Sequence, residues 1–197
     1  GNHRAILDFE RYVLMSRANE KPDYEMANKI LQVGVDRNDP QSMHNLAYHL
    51  LYGKGTKKDA KRSTELYLKA AQLGNANSQN NVGWAYYQGE GIKRSIPDAV
   101  FWITRAADQG VSFAYGSLCE MYDAGDVFRP NNVQAYKWCR LAVDTEPPGH
   151  VRSNDADILV RFRKKMTQAE IDEAETFVKD WEPLKPIYGQ MVDTDDG

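Results

Sequence analysis

The sequence repeats itself every 36 residues, and this period constrains the fold more than any other feature. Segments that begin at Pro40, Ala76 and Ser112 align with one another. In each segment an apolar residue precedes a small residue, and a glycine ends the segment. These positions are Leu46, Val82 and Leu118, then Ala47, Gly83 and Cys119, then Gly53, Gly89 and Gly125. A fixed period of this length is typical of solenoids, whose repeats bury their apolar faces against each other.

Each repeat predicts two helices joined by an exposed loop. Apolar residues spaced four apart before a closing glycine indicate a first helix with one buried face. A second helix follows, and its markers recur with the same period and are followed one turn later by alanine. These markers are Leu66, Trp102 and Trp138, and the alanines are Ala70, Ala106 and Ala142. We therefore interpret Trp102 and Trp138 as packing residues of the repeat.

The pattern resembles the Sel-one-like repeat, a tetratricopeptide-like helical pair with a longer inner loop. The resemblance extends over about residues 40–147, and the second repeat carries it most completely. Its matching positions are Val82, Gly83, Tyr86, Gly89, Gly91, Ala99, Trp102, Ala106, Ala107 and Gly110. The other repeats depart from it at Ser63, Leu66, Cys119 and Glu146. The resemblance implies an all-α fold, a right-handed α-α superhelix with a C-terminal capping helix.

We predict a single domain over residues 1–182. It comprises a degenerate repeat over 3–39, repeats over 40–75, 76–111 and 112–147, and capping helices over 153–182. Repetition stops at Pro147-Pro148, and a capping box from Thr167 to Glu170 predicts the start of the last helix. Residues 183–197 have no core pattern, and we interpret them as a tail.

Composition and motifs argue against several classes of function. The formal net charge is −3, so there is no global basic field for nucleic acid. No apolar run approaches the roughly 18 residues of a membrane span. His44 and His49 are five residues apart and so lie on different sides of a helix, unlike the paired histidines of a metal site. We expect no catalysis, no cofactor and no metal.

The resemblance implies a concave face lined by the first helix of each repeat. The inward positions in that register are His44, Tyr48, Tyr52, Asn77, Asn80, Trp84, Tyr87, Gln88 and Phe113. Exposed Tyr and Trp beside amide side chains are typical of a peptide-binding surface. Asn80 stands where carboxylate-binding relatives carry a basic residue, so a C-terminal carboxylate ligand is not supported. Packing of these aromatic rings between neighbouring repeats is the alternative.

We expect a monomeric adaptor or scaffold that binds a protein or peptide partner of unknown identity. The alternative function is that of a secreted protein that binds cell-wall material or β-lactams and has weak hydrolase activity. Some secreted members of the resembling family are associated with such binding. The sequence contains no motif that pairs a nucleophile with a base, so it provides no catalytic residues for such a hydrolase.

Cys119 and Cys139 are the two cysteines of the chain. Both lie in the third repeat, one in each helix, and in tetratricopeptide-like pairs these two positions face each other across the interface between the two helices. A disulfide requires Cα atoms about 4.4–6.8 Å apart, and two buried thiols are the alternative. The start at Gly1, the cysteine pair and the frequent export of the family favour a bacterial periplasmic or secreted protein whose signal peptide has been removed.

Overall fold

The computed structural model describes residues 2–15, 22–127, 131–145 and 153–183, and their regular structure is entirely helical. These residues form two compact units, one ending at Ser95 and the other beginning at Ile96. The predicted all-α class is confirmed. The break at Pro147-Pro148 and the tail from residue 184 onward lie outside the described residues.

The first unit is a series of five helices in which each helix packs on the next. They are α1 (Asn2–Met15), α2 (Tyr24–Asp36), α3 (Pro40–Tyr52), α4 (Ala60–Gln72) and α5 (Ala76–Gln88). The Asp39 and Asn75 side chains accept hydrogen bonds from the backbone of the first turns of α3 and α5. Gly53 and Gly89 end the same two helices in the left-handed conformation. These caps recur with the 36-residue period in the first two repeats, whereas Val111, the equivalent residue of the third repeat, provides no side-chain cap.

A second glycine in each of the first two loops allows the loop to approach the preceding helical pair. Gly55 and Gly91 have φ of 62° and 71°. A Cβ atom on Gly55 would collide with the backbone of Tyr24, and one on Gly91 would collide with the carbonyl of Ala60. Glycine is required at both positions by the backbone conformation and by the close contact.

The second unit also contains five helices. They are α6 (Ile96–Asp108), α7 (Ser112–Asp123), α8 (Asn132–Thr145), α9 (Ser153–Lys165) and α10 (Gln168–Lys179). Both α9 and α10 pack against α8, and α9 also contacts α7. Thr167 and Glu170 form the predicted capping box at the start of α10. The last two helices thereby cover apolar residues of the third repeat, including Val133 and Tyr136.

A disulfide joins α7 to α8 in the core of the second unit. Cys119 and Cys139 are fully buried, their Cα atoms are 4.8 Å apart, and their sulfur atoms are bonded. They lie in one cluster with Ile158 and Phe162 of α9 and Ala174 of α10. Of the two alternatives left open by the sequence, the structure contains the disulfide.

The two repeat tryptophans differ in their burial. Trp138 is buried and stacks on Tyr115 with ring centroids 5.9 Å apart, as its packing role predicts. The Trp181 ring packs edge-on against the Trp138 ring, with ring centroids 5.4 Å apart. Trp102 is only partly buried and contacts Phe101. Equivalent repeat positions therefore need not be equally buried.

Candidate functional site

A cavity of about 300 Å³ lies within the first unit, among α3, α4 and α5. We call it the Tyr67 cavity, after the tyrosine that α4 contributes to it. Its lining residues are Tyr48, Leu51, Tyr52, Ser63, Thr64, Tyr67, Asn81, Trp84, Ala85, Gln88 and Glu90. The volume is at the lower end of the range typical of small-ligand sites, and it suits one large side chain.

The α3 wall of the cavity consists of two tyrosines that the core does not use. Leu46 and Leu50 form the buried stripe of α3, which leaves Tyr48 and Tyr52 on another face of the helix. Tyr48 is 39% exposed and Tyr52 is 54% exposed, and their ring centroids are 4.7 Å apart. This side of α3 therefore presents rigid aromatic area to solvent and to the cavity.

The α5 wall pairs an indole with amide side chains. Trp84 is partly buried, and Tyr87 meets it edge-on with ring centroids 5.2 Å apart. Asn81 lies three residues before Trp84 and Gln88 lies four residues after it, so all three lie on one face of α5. Tyr87 supports the indole from outside the lining, and the Arg94 guanidinium lies 5.8 Å from its ring centroid.

The floor of the cavity comes from α4. The hydroxyl groups of Ser63 and Thr64 donate hydrogen bonds to the carbonyl oxygens of Ala47 and Glu90, at 2.7 and 2.9 Å. Tyr67 is 2% exposed, and its phenol oxygen makes no hydrogen bond of standard geometry with the described residues. Burial raises the pKa of Tyr67, and the nearby Asn81 amide partly opposes that rise. Tyr67 is therefore a neutral phenol at physiological pH.

The predicted site residues divide into three groups. Tyr48, Tyr52, Trp84 and Gln88 line the Tyr67 cavity. His44, Asn77, Asn80 and Tyr87 belong to the same unit but do not line it. Phe113 belongs to the second unit and is 61% exposed.

His44 and Asn80 lie toward the protein interior, and neither residue lines the cavity. The Nδ1 atom of His44 lies 2.9 Å from the Ser78 hydroxyl oxygen, and its ring packs at 5.4 Å from that of Tyr67. Burial lowers the pKa of His44 to about 4, so the imidazole is neutral at pH 7. Asn80 is only 8% exposed, whereas Asn77 is exposed.

Seven of the eleven lining residues were not among the predicted site residues, and the polar side chains of Tyr67, Asn81 and Glu90 matter most among them. A signal for Tyr67 exists in the repeat, because Ile103 and Cys139 occupy the equivalent positions. A phenol at a position that is otherwise apolar brings a hydroxyl group into the interior, where it requires a partner. Asn81 and Glu90 carry no such signal, since both occupy ordinary polar positions of a helix and a loop.

Two further classes of site are absent from the described residues. No helix in the described part of the chain is long and apolar enough to cross a membrane. Within residues 2–15, 22–127, 131–145 and 153–183, no group of three or more His, Cys, Asp and Glu side chains is arranged to hold a metal ion.

Stacked helical hairpins with period-related caps and loop glycines define a helical repeat protein of the solenoid class. The Sel1 repeat family model matches residues 40–75, 76–111 and 112–144, more than half of the chain. The chain therefore belongs to the Sel1 repeat family. Proteins of this family generally mediate protein–protein interactions and are typically scaffolds without catalytic activity.

Solved structures agree with this fold. The chain is similar to a protective antigen of uropathogenic Escherichia coli strains that displays an SLR fold, with a TM-score of 0.77 and 24% identity. That match covers 90% of this chain, which spans only 37% of the length of the antigen. It is also similar to a Sel1 repeat protein from Oxalobacter formigenes, with a TM-score of 0.66 and 20% identity, over 83% of this chain and 74% of that one. No curated protein matches the chain.

Proposed function

We propose that this chain is an adaptor that binds an extended peptide segment of a protein partner at the Tyr67 cavity, without turnover. The observation that carries the proposal is a cavity of about 300 Å³ whose lining includes the exposed rings of Tyr48 and Tyr52, which the core does not require. The general role of Sel1 repeat proteins in protein–protein interactions supports it.

The chemistry of the rim suits a peptide. Tyr and Trp provide large, rigid contact area at a low cost in conformational entropy, and they dominate the energetics of many interfaces. The amides of Asn81 and Gln88 carry donors and acceptors of the kind that pair with an extended backbone. No observation on the described residues favours the alternative hydrolase function.

Selection from a random peptide library tests the proposal, with Tyr52→Ala as the discriminating variant. Tyr52 is 54% exposed, so its truncation should remove contact area at the rim and little packing. We expect selected peptides to bind Tyr52→Ala about tenfold more weakly, a loss typical of a buried aromatic anchor. The melting temperature should remain within about 2 °C of that of the parent.

Phe101→Ala is the matched control, because Phe101 is 52% exposed and belongs to the second unit. Its truncation should leave peptide affinity unchanged. A library that yields no peptide dependent on Tyr52, or equal losses for the two variants, would contradict binding at this cavity.

We also propose that the protein is periplasmic or secreted. The buried disulfide between Cys119 and Cys139 supports this location, because disulfides persist in oxidising compartments and are rare in the cytosol. Cell fractionation, followed by thiol alkylation of each fraction in denaturant without reductant, tests the proposal, because both cysteines are buried in the folded protein. A fully alkylated protein in the cytosolic fraction would contradict it.

A further inference from the structure

We infer that the Tyr67 cavity accepts a cationic side chain of the partner, namely an arginine. The inference rests on the proposed function and specifies the chemistry of the residue that enters the cavity. Three properties of the lining carry it: its charge, its aromatic rings and its unsatisfied hydrogen-bonding capacity.

The lining carries negative charge and no positive charge. Glu90 is the ionisable acid among the eleven lining residues, and none of them is lysine, arginine or histidine. The Glu90 carboxylate lies near enough to Tyr67 to help raise the pKa of its phenol, after the larger effect of burial. An anionic side chain would be repelled by this carboxylate, whereas a cation would be stabilised by it.

The rings of Tyr48, Tyr52 and Trp84 surround the same space. A cation is attracted to the face of an aromatic ring, and the attraction increases when water is excluded. Tyr48 already shows this behaviour, because the ammonium group of Lys54 lies 4.5 Å from its ring centroid and 5.3 Å from that of Tyr24. Lys54 is not one of the lining residues, so it does not fill the cavity.

The cavity also contains an acceptor that no donor reaches in standard hydrogen-bond geometry, although the Asn81 amide lies nearby. The phenol oxygen of Tyr67 is buried, lines the cavity and has no hydrogen-bond partner of standard geometry among the described residues. Such a group destabilises the protein until a ligand provides a partner. A guanidinium carries five N–H donors in one plane, so it can stack on a ring and also donate to Tyr67 and Glu90. This combination favours arginine over lysine.

Isothermal titration calorimetry with blocked five-residue peptides tests the inference. The central residue is arginine, lysine, citrulline, leucine or glutamate, flanked by alanines. Citrulline is the matched control because it retains the shape of arginine and loses its charge. We expect arginine to bind about tenfold more tightly than citrulline, with lysine between them. Equal or tighter binding of leucine or glutamate, or no arginine binding at about 10 mM peptide, would overturn the inference.

Two conservative variants connect that preference to named atoms. Glu90→Gln should weaken arginine binding about fivefold and leave citrulline binding unchanged. Tyr67→Phe should weaken arginine binding by a similar factor with little effect on the melting temperature, because the hydroxyl it removes makes no hydrogen bond of standard geometry. The control is Glu65→Gln, an exposed carboxylate of α4 outside the lining, which should leave the arginine Kd unchanged. Unchanged arginine affinity in both cavity variants would overturn the inference.

These results separate the inference from the function on which it rests. If library peptides bind in a manner that depends on Tyr52 but show no preference for arginine, the cationic occupant is wrong and peptide binding at the cavity stands. If no selected peptide depends on Tyr52, peptide binding at the cavity itself is wrong.

Discussion

Two histidines of α3 are held neutral by their surroundings. Burial lowers the pKa of both His44 and His49 to about 4, and for His49 the nearby Lys54 charge adds to the effect. The Asn28 amide nitrogen donates to the Lys54 carbonyl, which directs the Asn28 oxygen toward His49 Nδ1 at 2.7 Å. Nδ1 of His49 is therefore the protonated nitrogen of a neutral ring.

The stability of the first unit should consequently decrease in mild acid. A histidine whose folded pKa is about 4 binds its proton first in the unfolded chain, where the pKa is about 6.5. The contribution to the free energy of unfolding is complete above about pH 6.5. It falls by up to about 1.4 kcal/mol per pH unit for each histidine between that pH and about 4. Urea unfolding at pH 7.5 and pH 5 should show the decrease.

His49→Asn isolates the effect from the carboxylates that titrate in the same range. The variant should lose less stability than the parent between the two pH values, because it lacks one of the two buried imidazoles. NMR titration of the imidazole signals provides a direct measurement. Midpoints near 6.5 for both rings would contradict the proposed burial effect.

At the scale of the elements, the loop glycines connect the repeat to the site. Gly91 has φ of 71°, and an added Cβ would collide with the Ala60 carbonyl and lie 2.8 Å from the Thr64 hydroxyl. Gly74 has φ of 93° but no atom within 4 Å of the same position. Both glycines thus have a positive φ, and they differ in how close other atoms lie to an added Cβ. The loop that contains Gly91 also places Glu90 in the cavity lining.

Gly91→Ala should therefore destabilise the protein more than Gly74→Ala. Backbone strain alone should cost Gly74→Ala about 1 kcal/mol in the free energy of unfolding. Gly91→Ala should cost about 1–3 kcal/mol more, because the loop must move away from α4. Chemical denaturation measures both values, and Gly91→Ala should also weaken arginine-peptide binding. Equal stabilities for the two variants would show that the close approach is unimportant.

The sequence predicts the helices well because their signals are local and repeated. The sequence also allows Tyr48 and Trp84 to be predicted at the surface, since Leu46 and Val82 already form the buried stripe of their helices. The sequence does not predict that Asn81 and Glu90 line the cavity, because their positions there depend on how α4 packs between α3 and α5. Phe9 of α1 is a large apolar residue and is nevertheless 50% exposed. A helical period identifies an apolar face but not what covers it.

At the scale of the whole molecule, the cavity and the disulfide belong to different compact units. The Tyr67 cavity is built from residues before Ser95, and the disulfide joins two helices that follow Ile96. The binding chemistry proposed for the first unit includes no residue of the second. Loss of the disulfide should therefore act on the stability of the second unit, and the affinity of the cavity should be preserved.

Reduction tests this separation. The bond closes a loop of 20 residues, and releasing a loop of this size costs about 3 kcal/mol in the chain-entropy account. Because both cysteines are fully buried, the protein should be unfolded in a denaturant that contains dithiothreitol and then refolded with dithiothreitol still present. Hydrogen exchange should then accelerate in α7 and α8 and remain unchanged in α3 and α4, with the arginine-peptide Kd also unchanged. Equal acceleration in all four helices would show that the disulfide stabilises the chain as one cooperative unit.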